Sequence, residues 1–157
     1  MKLGNQSLTI LLFGLCLSPF AIASGHGSKA STLSSVHLKL ELQLERVDGR
    51  VTKLAGEADQ KTLRELAEAS VVADSCVGMP LDDEPFKAQL KFLALKDGRT
   101  GQETNSDYQN RMRTYFGVYI GLLEAESIER GSDFCAAAQE DIRKKGPLSR
   151  WIKRRPN

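Results

Sequence analysis

Two cysteines constrain this chain more than any other pair of its residues. Cys76 closes an apolar stripe of Leu63, Leu66, Ala69 and Ala73 that recurs at three- and four-residue steps. Cys135 falls within a second stripe with Phe134, Ala138 and Ile142. That periodicity puts both thiols on the inner faces of helices. The only histidines, His26 and His37, lie far upstream, and no C-x-x-C is present. Neither a metal site nor a redox pair is therefore expected, and no cofactor. In an oxidising compartment the pair reads as one structural disulfide, which needs Cα atoms about 4.4–6.8 Å apart. An early helix and the last one must then meet end to end or side to side. Closing a loop of about 60 residues stabilises the fold by roughly 4 kcal/mol on the chain-entropy model.

The compartment is read from the start of the chain. Lys2 supplies a positive charge, Leu8 to Leu17 is almost wholly apolar, Pro19 interrupts it, and Ala21-Ile22-Ala23 follows. A charged end, a short apolar run and an A-x-A site form a secretory signal, so residues 1–23 are expected to be removed before Ser24. The run is shorter than the roughly 20 residues that span a bilayer. Two alternatives keep this end in the membrane: a retained anchor, or lipidation at Cys16. Phe13-Gly14-Leu15 fits the second poorly, because the position beside the cysteine should be small. Nothing later is apolar for long enough to cross. A periplasmic or secreted chain of 134 residues would remain, enough for one domain with a real core.

Charge divides this mature chain unevenly. Residues 24–142 carry 14 basic and 20 acidic residues, a net of −6, whereas residues 143–157 hold seven basic residues and no acidic ones. Residues 24–35 are small, polar and rich in glycine and serine, the composition of a flexible leader. Val36, Leu38, Leu40, Leu42 and Leu44 then alternate with polar residues, and Asp48-Gly49 can turn such a strand back along Arg50 to Leu54. The alternation favours a β-hairpin. Leu40, Leu44, Val47, Val51 and Leu54 also fit a heptad seam, which would make the same stretch a helix.

Helical patterns are cleaner beyond Asp59. The first helix carries Cys76 near its end and stops at Gly78 and Pro80. Asp82 or Asp83 caps a second, with Phe86, Leu90, Leu93 and Ala94 inward and Gly98 after its last turn. Arg99 to Asn105 reads as a polar loop. Ser106-Asp107-Tyr108-Gln109 reads as a capping box that opens a long central helix striped by Tyr108, Met112, Tyr115, Tyr119 and Leu122. Gly131 ends it, Ser132 caps the last helix, and Gly146-Pro147 stops that one. The expected fold is mainly α: a small antiparallel bundle of about four helices with one disulfide, preceded by the short hairpin. The domain spans 36–146, and 147–157 forms a basic tail.

Few residues could carry chemistry. No G-x-S-x-G is present, and neither histidine has partners in sequence, so no nucleophilic site is expected. Asp82-Asp83-Glu84 sits where a helix start favours negative charge, and Glu124 and Glu126 point to different sides of one helix. Gly98-Arg99-Thr100-Gly101 lacks the lysine and spacing of a phosphate-binding loop. The tyrosine stripe reads as core, with an aromatic pocket as its alternative. The candidate functional surface is the tail. Arg143, Lys144, Lys145, Arg150, Lys153, Arg154 and Arg155 surround Leu148, Trp151 and Ile152, a combination suited to an anionic envelope component or an acidic partner. Its plainer reading is a solvated tail whose Trp151 folds back on the bundle. Nucleic acid is not expected outside the cytoplasm.

Ser75-Cys76 at the end of the early helix, Tyr108-Gln109-Asn110-Arg111-Met112-Arg113 in the middle and Phe134-Cys135-Ala136-Ala137-Ala138 near the end carry a resemblance over roughly residues 60–145. Together they resemble small exported helical proteins of unknown function from Gram-negative bacteria, chiefly alphaproteobacteria. The resemblance implies a periplasmic location and a helical fold, and no activity. These readings favour a non-catalytic accessory protein that binds an envelope component or a protein partner. The alternatives are an envelope-polymer hydrolase or lyase working through carboxylates, and a periplasmic inhibitor or immunity protein.

Overall fold

The computed structural model describes residues 27–95 and 104–153. The signal with its cleavage point, His26, the Gly98–Gly101 turn, Arg154 and Arg155 lie outside them. Among the described residues the chain forms five helices: α1 (Gly27–Ala55), α2 (Glu57–Ser75), α3 (Asp83–Leu95), α4 (Asn105–Arg130) and α5 (Ser132–Arg143). A 3-10 turn, Pro147–Arg150, follows.

The hairpin expected over 36–54 does not form, and α1 runs back to Gly27, into the stretch read as a flexible leader. Its buried side chains are Ala55 and four of the five heptad residues, Leu44, Val47, Val51 and Leu54, with Leu40 half-buried, whereas Val36, Leu38 and Leu42 of the alternating set are exposed. The physical reason is the partner. An isolated two-stranded hairpin buries little, whereas a helix with a 3.5-residue seam lies against both α2 and α4. Asp48-Gly49, read as a turn, sits in the interior of the helix.

Only Gly56 separates α1 from α2, and its φ of 91° is a backbone conformation that side chains disfavour. Gly131 works in the same way at φ 54°, ending α4 and starting α5 directly. Thr104, rather than Ser106, opens α4. Its hydroxyl oxygen accepts from the Asp107 amide at 3.2 Å and its proton goes to the Asp107 carboxylate at 2.6 Å. The capping pair is therefore Thr-x-x-Asp, two residues earlier than expected.

Helix α4 is central, as its stripe implies: it lies against α1, α2, α3 and α5. Tyr108, Met112, Tyr119 and Leu123 are buried there among Leu63, Leu66 and Val72 of α2, Phe86 and Leu93 of α3, and Phe134 of α5. Cys76 and Cys135 form the expected disulfide, with Cα atoms 5.5 Å apart, joining the end of α2 to α5.

The segment after α5 is docked. Leu148, Trp151 and Ile152 are all buried. The Asp82 amide donates to the Trp151 carbonyl at 2.6 Å, and the Lys153 amide to the Pro80 carbonyl at 2.8 Å. These bonds form an isolated antiparallel bridge between Leu81 and Ile152. Asp141 accepts from the Leu148 amide at 2.9 Å and holds the start of the turn. The tail boundary drawn at 147 therefore cuts through the core.

Candidate functional site

Three places gather side chains that could act on another molecule. The first is a polar cluster inside the bundle. Asp48 Oδ1 accepts from Gln60 Nε2 at 2.6 Å and from the Tyr119 hydroxyl at 2.7 Å, and Oδ2 accepts from Arg64 at 2.6 Å. Gln60 Nε2 also lies 3.3 Å from the Tyr119 oxygen. Burial, then donation to Asp48, pushes the Tyr119 phenol above its ordinary range, so it stays protonated. Both Asp48 oxygens are engaged by donors from α2 and α4. The cluster ties α1, α2 and α4 together, and of its members Arg64 also borders the polar cleft described next.

The second place is a polar cleft of about 200 Å³ among α2, α4, α5 and the turn at 147, lined by Arg64, Glu68, Glu126, Arg130 and Asp141 among others. Burial raises the Glu68 carboxyl above its ordinary value; Arg64 opposes this, and the carboxylates of Asp141, Glu126 and Glu65 reinforce it. Glu126 pairs with Arg130 at 2.7 Å, and Asp141 is engaged by the backbone at 148. Glu124 is exposed while Glu126 is buried, so the two diverge as their spacing implied.

The third place is a cleft of about 380 Å³ between α3 and α4, floored by α2. Leu63, Leu90, Ala94, Leu95, Met112 and Phe116 make its apolar walls. The remaining lining residues are Lys87, Lys91 and Arg113, all exposed. No carboxylate is among its described lining residues. Leu93 and Phe86 anchor α3 in the core, while Leu90 and Ala94 stay half-open beside the cleft. Sequence reading placed Leu90 and Ala94 on the inner face but did not single out Lys87, Lys91 or Arg113.

The tail residues chosen from sequence are spread over different partners. Arg143 makes two bonds to Glu140, at 2.6 and 2.7 Å, and Lys144 reaches the same carboxylate at 3.1 Å. Those two cations hold the Glu140 carboxyl below its ordinary value, Arg143 contributing most. Arg150 pairs with the buried carboxylate of Glu65 and lies 5.3 Å from the Trp151 ring centre. Trp151 is 6 % exposed and cannot reach a surface ligand. Lys145 and Lys153 are exposed and stand apart from these pairs. Three of the five described tail cations are thus engaged in internal pairs. Tyr108 and Tyr119 are core rather than pocket wall, and His37 makes an i,i+4 contact with Glu41 at 3.2 Å.

No group of three or more potential metal ligands occurs among the described residues, and no described helix is long and apolar enough to cross a membrane. Comparison with family models, curated proteins and solved structures gives no match to this chain.

Proposed function

We propose that the protein is a non-catalytic binding protein of the periplasm or exterior, and that the α3–α4 cleft is its binding site. The observation that carries this reading is the cleft itself: a concave apolar surface, floored by the core residues Leu63 and Met112. Such a surface is the usual form of a small-molecule site, and exposed apolar concavities in small proteins tend to be functional. The disulfide supports an oxidising compartment, where such bridges persist, and the A-x-A site supports export.

Uptake of N-phenyl-1-naphthylamine, an uncharged dye that brightens on leaving water, tests the reading. The native protein should bind one dye per chain, and Ala94→Phe, which sets a ring into the cleft, should abolish uptake while the helical circular-dichroism signal persists. Absence of dye binding by native protein, or equal binding by Ala94→Phe, would contradict it.

One observation favours a second reading, a hydrolase or lyase acting on an envelope polymer. Glu68 and Glu126 converge on the polar cleft with Arg64 and Arg130, and the raised Glu68 carboxyl is the kind of group that serves as a general acid. Release of soluble fragments from cell-wall polymer by native protein, lost in Glu68→Gln, would establish it.

A further inference from the structure

We infer that the ligand of the α3–α4 cleft is an anionic single-chain amphiphile, an alkyl chain ending in a carboxylate or phosphate; this rests on the cleft being the binding site. The walls call for hydrocarbon, and the rim calls for negative charge. Lys87 and Lys91 come from α3 and Arg113 from α4, so two elements deliver cations to one mouth. Lys87 has a partner, Asp83 at 3.1 Å. Lys91 and Arg113 have none among the described residues. Their helical neighbours three and four positions away are Lys87, Ala88, Ala94 and Leu95 for the lysine, and Gln109, Asn110, Phe116 and Gly117 for the arginine. None of these is acidic, so neither can form the pair that helices use to quiet surface charge.

Lys145 and Lys153 also stand unpaired among the described residues, but Lys91 and Arg113 do so together at the mouth of an apolar cleft. Arg64, Arg130, Arg143, Lys144 and Arg150 all sit against carboxylates. The body over 24–142 is also acidic, at −6. Among the described residues the rim sets two unpaired cations, Lys91 and Arg113, beside the Lys87–Asp83 pair, just where an apolar cleft opens. Gathering like charges is unfavourable for the empty protein, and an anionic headgroup relieves that repulsion while its chain fills the walls. The volume, about 380 Å³, lies at the small end of ligand sites, which suits one chain rather than two.

The test is displacement of N-phenyl-1-naphthylamine from the purified, oxidised protein by dodecanoate, dodecyl phosphate and dodecyltrimethylammonium, each below its micellar concentration. The two anions should displace the dye at concentrations at least about tenfold lower than the cation of equal chain length. A double variant, Lys91→Glu with Arg113→Glu, should lose that preference while still binding the uncharged dye, which reports that the cleft is intact. The ratio of dodecanoate to dodecyl phosphate distinguishes a free fatty acid from a phosphate-headed lipid. Equal displacement by anion and cation, or an unchanged preference in the double variant, overturns the inference while leaving the cleft a binding site. Failure of native protein to bind the dye removes the site itself. Sedimentation with anionic phosphatidylglycerol vesicles in the absence of monomer binding would also overturn it, because the ligand would then be a membrane surface.

Discussion

Asp48 holds three donors at once, and its loss should be felt on three helices. Removing the carboxylate leaves Gln60, Arg64 and the buried Tyr119 hydroxyl without their acceptor. Asp48→Ala should therefore lower stability by about 2–3 kcal/mol, against about 1 kcal/mol for Tyr119→Phe, which deletes one donor and leaves the rest paired. Urea unfolding of both variants checks the ordering. Glu68 behaves in the opposite sense. Burial raises its carboxyl above the ordinary 4.5, so the folded chain keeps a proton that the unfolded chain has lost. The folded state then binds more protons across that window, and stability falls as pH rises from about 4.5 through the raised value. Glu68→Gln removes the penalty. It should melt above the native protein at pH 7 and close to it at pH 4, and a variant less stable at pH 7 would show that Glu68 is held by its arginine rather than penalised by burial.

At the level of elements, the turn after α5 is the part most easily misjudged. The seven cations over 143–157 suggest a solvated tail, but three apolar residues decide where it goes: Leu148, Trp151 and Ile152 are buried, and the backbone pairs with Pro80 and Asp82. Trp151→Ala should cost about 3–5 kcal/mol, as for other buried aromatics, whereas Lys153→Ala should be nearly neutral. Thermal melts of the two variants distinguish a docked turn from a free tail, and near-equal melting temperatures would mean a free one. The α2, α3 and α5 stripes were legible in the sequence because each has one apolar face, and periodicity reports that face directly, whereas α4 meets four helices and its apolar residues are spread around it. The segment over 36–54 was not legible, since period two and period 3.5 share Leu40 and Leu44; only the presence of α2 and α4 decides between them. The cleft was equally hidden. Its cations sit on two different helices, and no local pattern records that those helices bring them to one cleft.

For the molecule as a whole, the disulfide and the cleft are independent devices. The bridge lies at the Cys76 end of α2, whereas Leu63, near the start of that helix, floors the cleft. Cys135→Ala should lower stability by about 2–5 kcal/mol, yet binding of the uncharged dye by the folded fraction should be unchanged. A calorimetric scan paired with a dye titration measures both. The proposal that this is a binding protein stands or falls on occupancy of the α3–α4 cleft. Heteronuclear NMR of the oxidised protein, titrated with dodecanoate below its micellar concentration, reads that occupancy residue by residue. Saturable shifts should concentrate on Leu63, Leu90, Ala94, Met112 and Phe116, with Lys91 and Arg113 at the rim. Shifts confined to Lys145 and Lys153, or none that saturate, would contradict it.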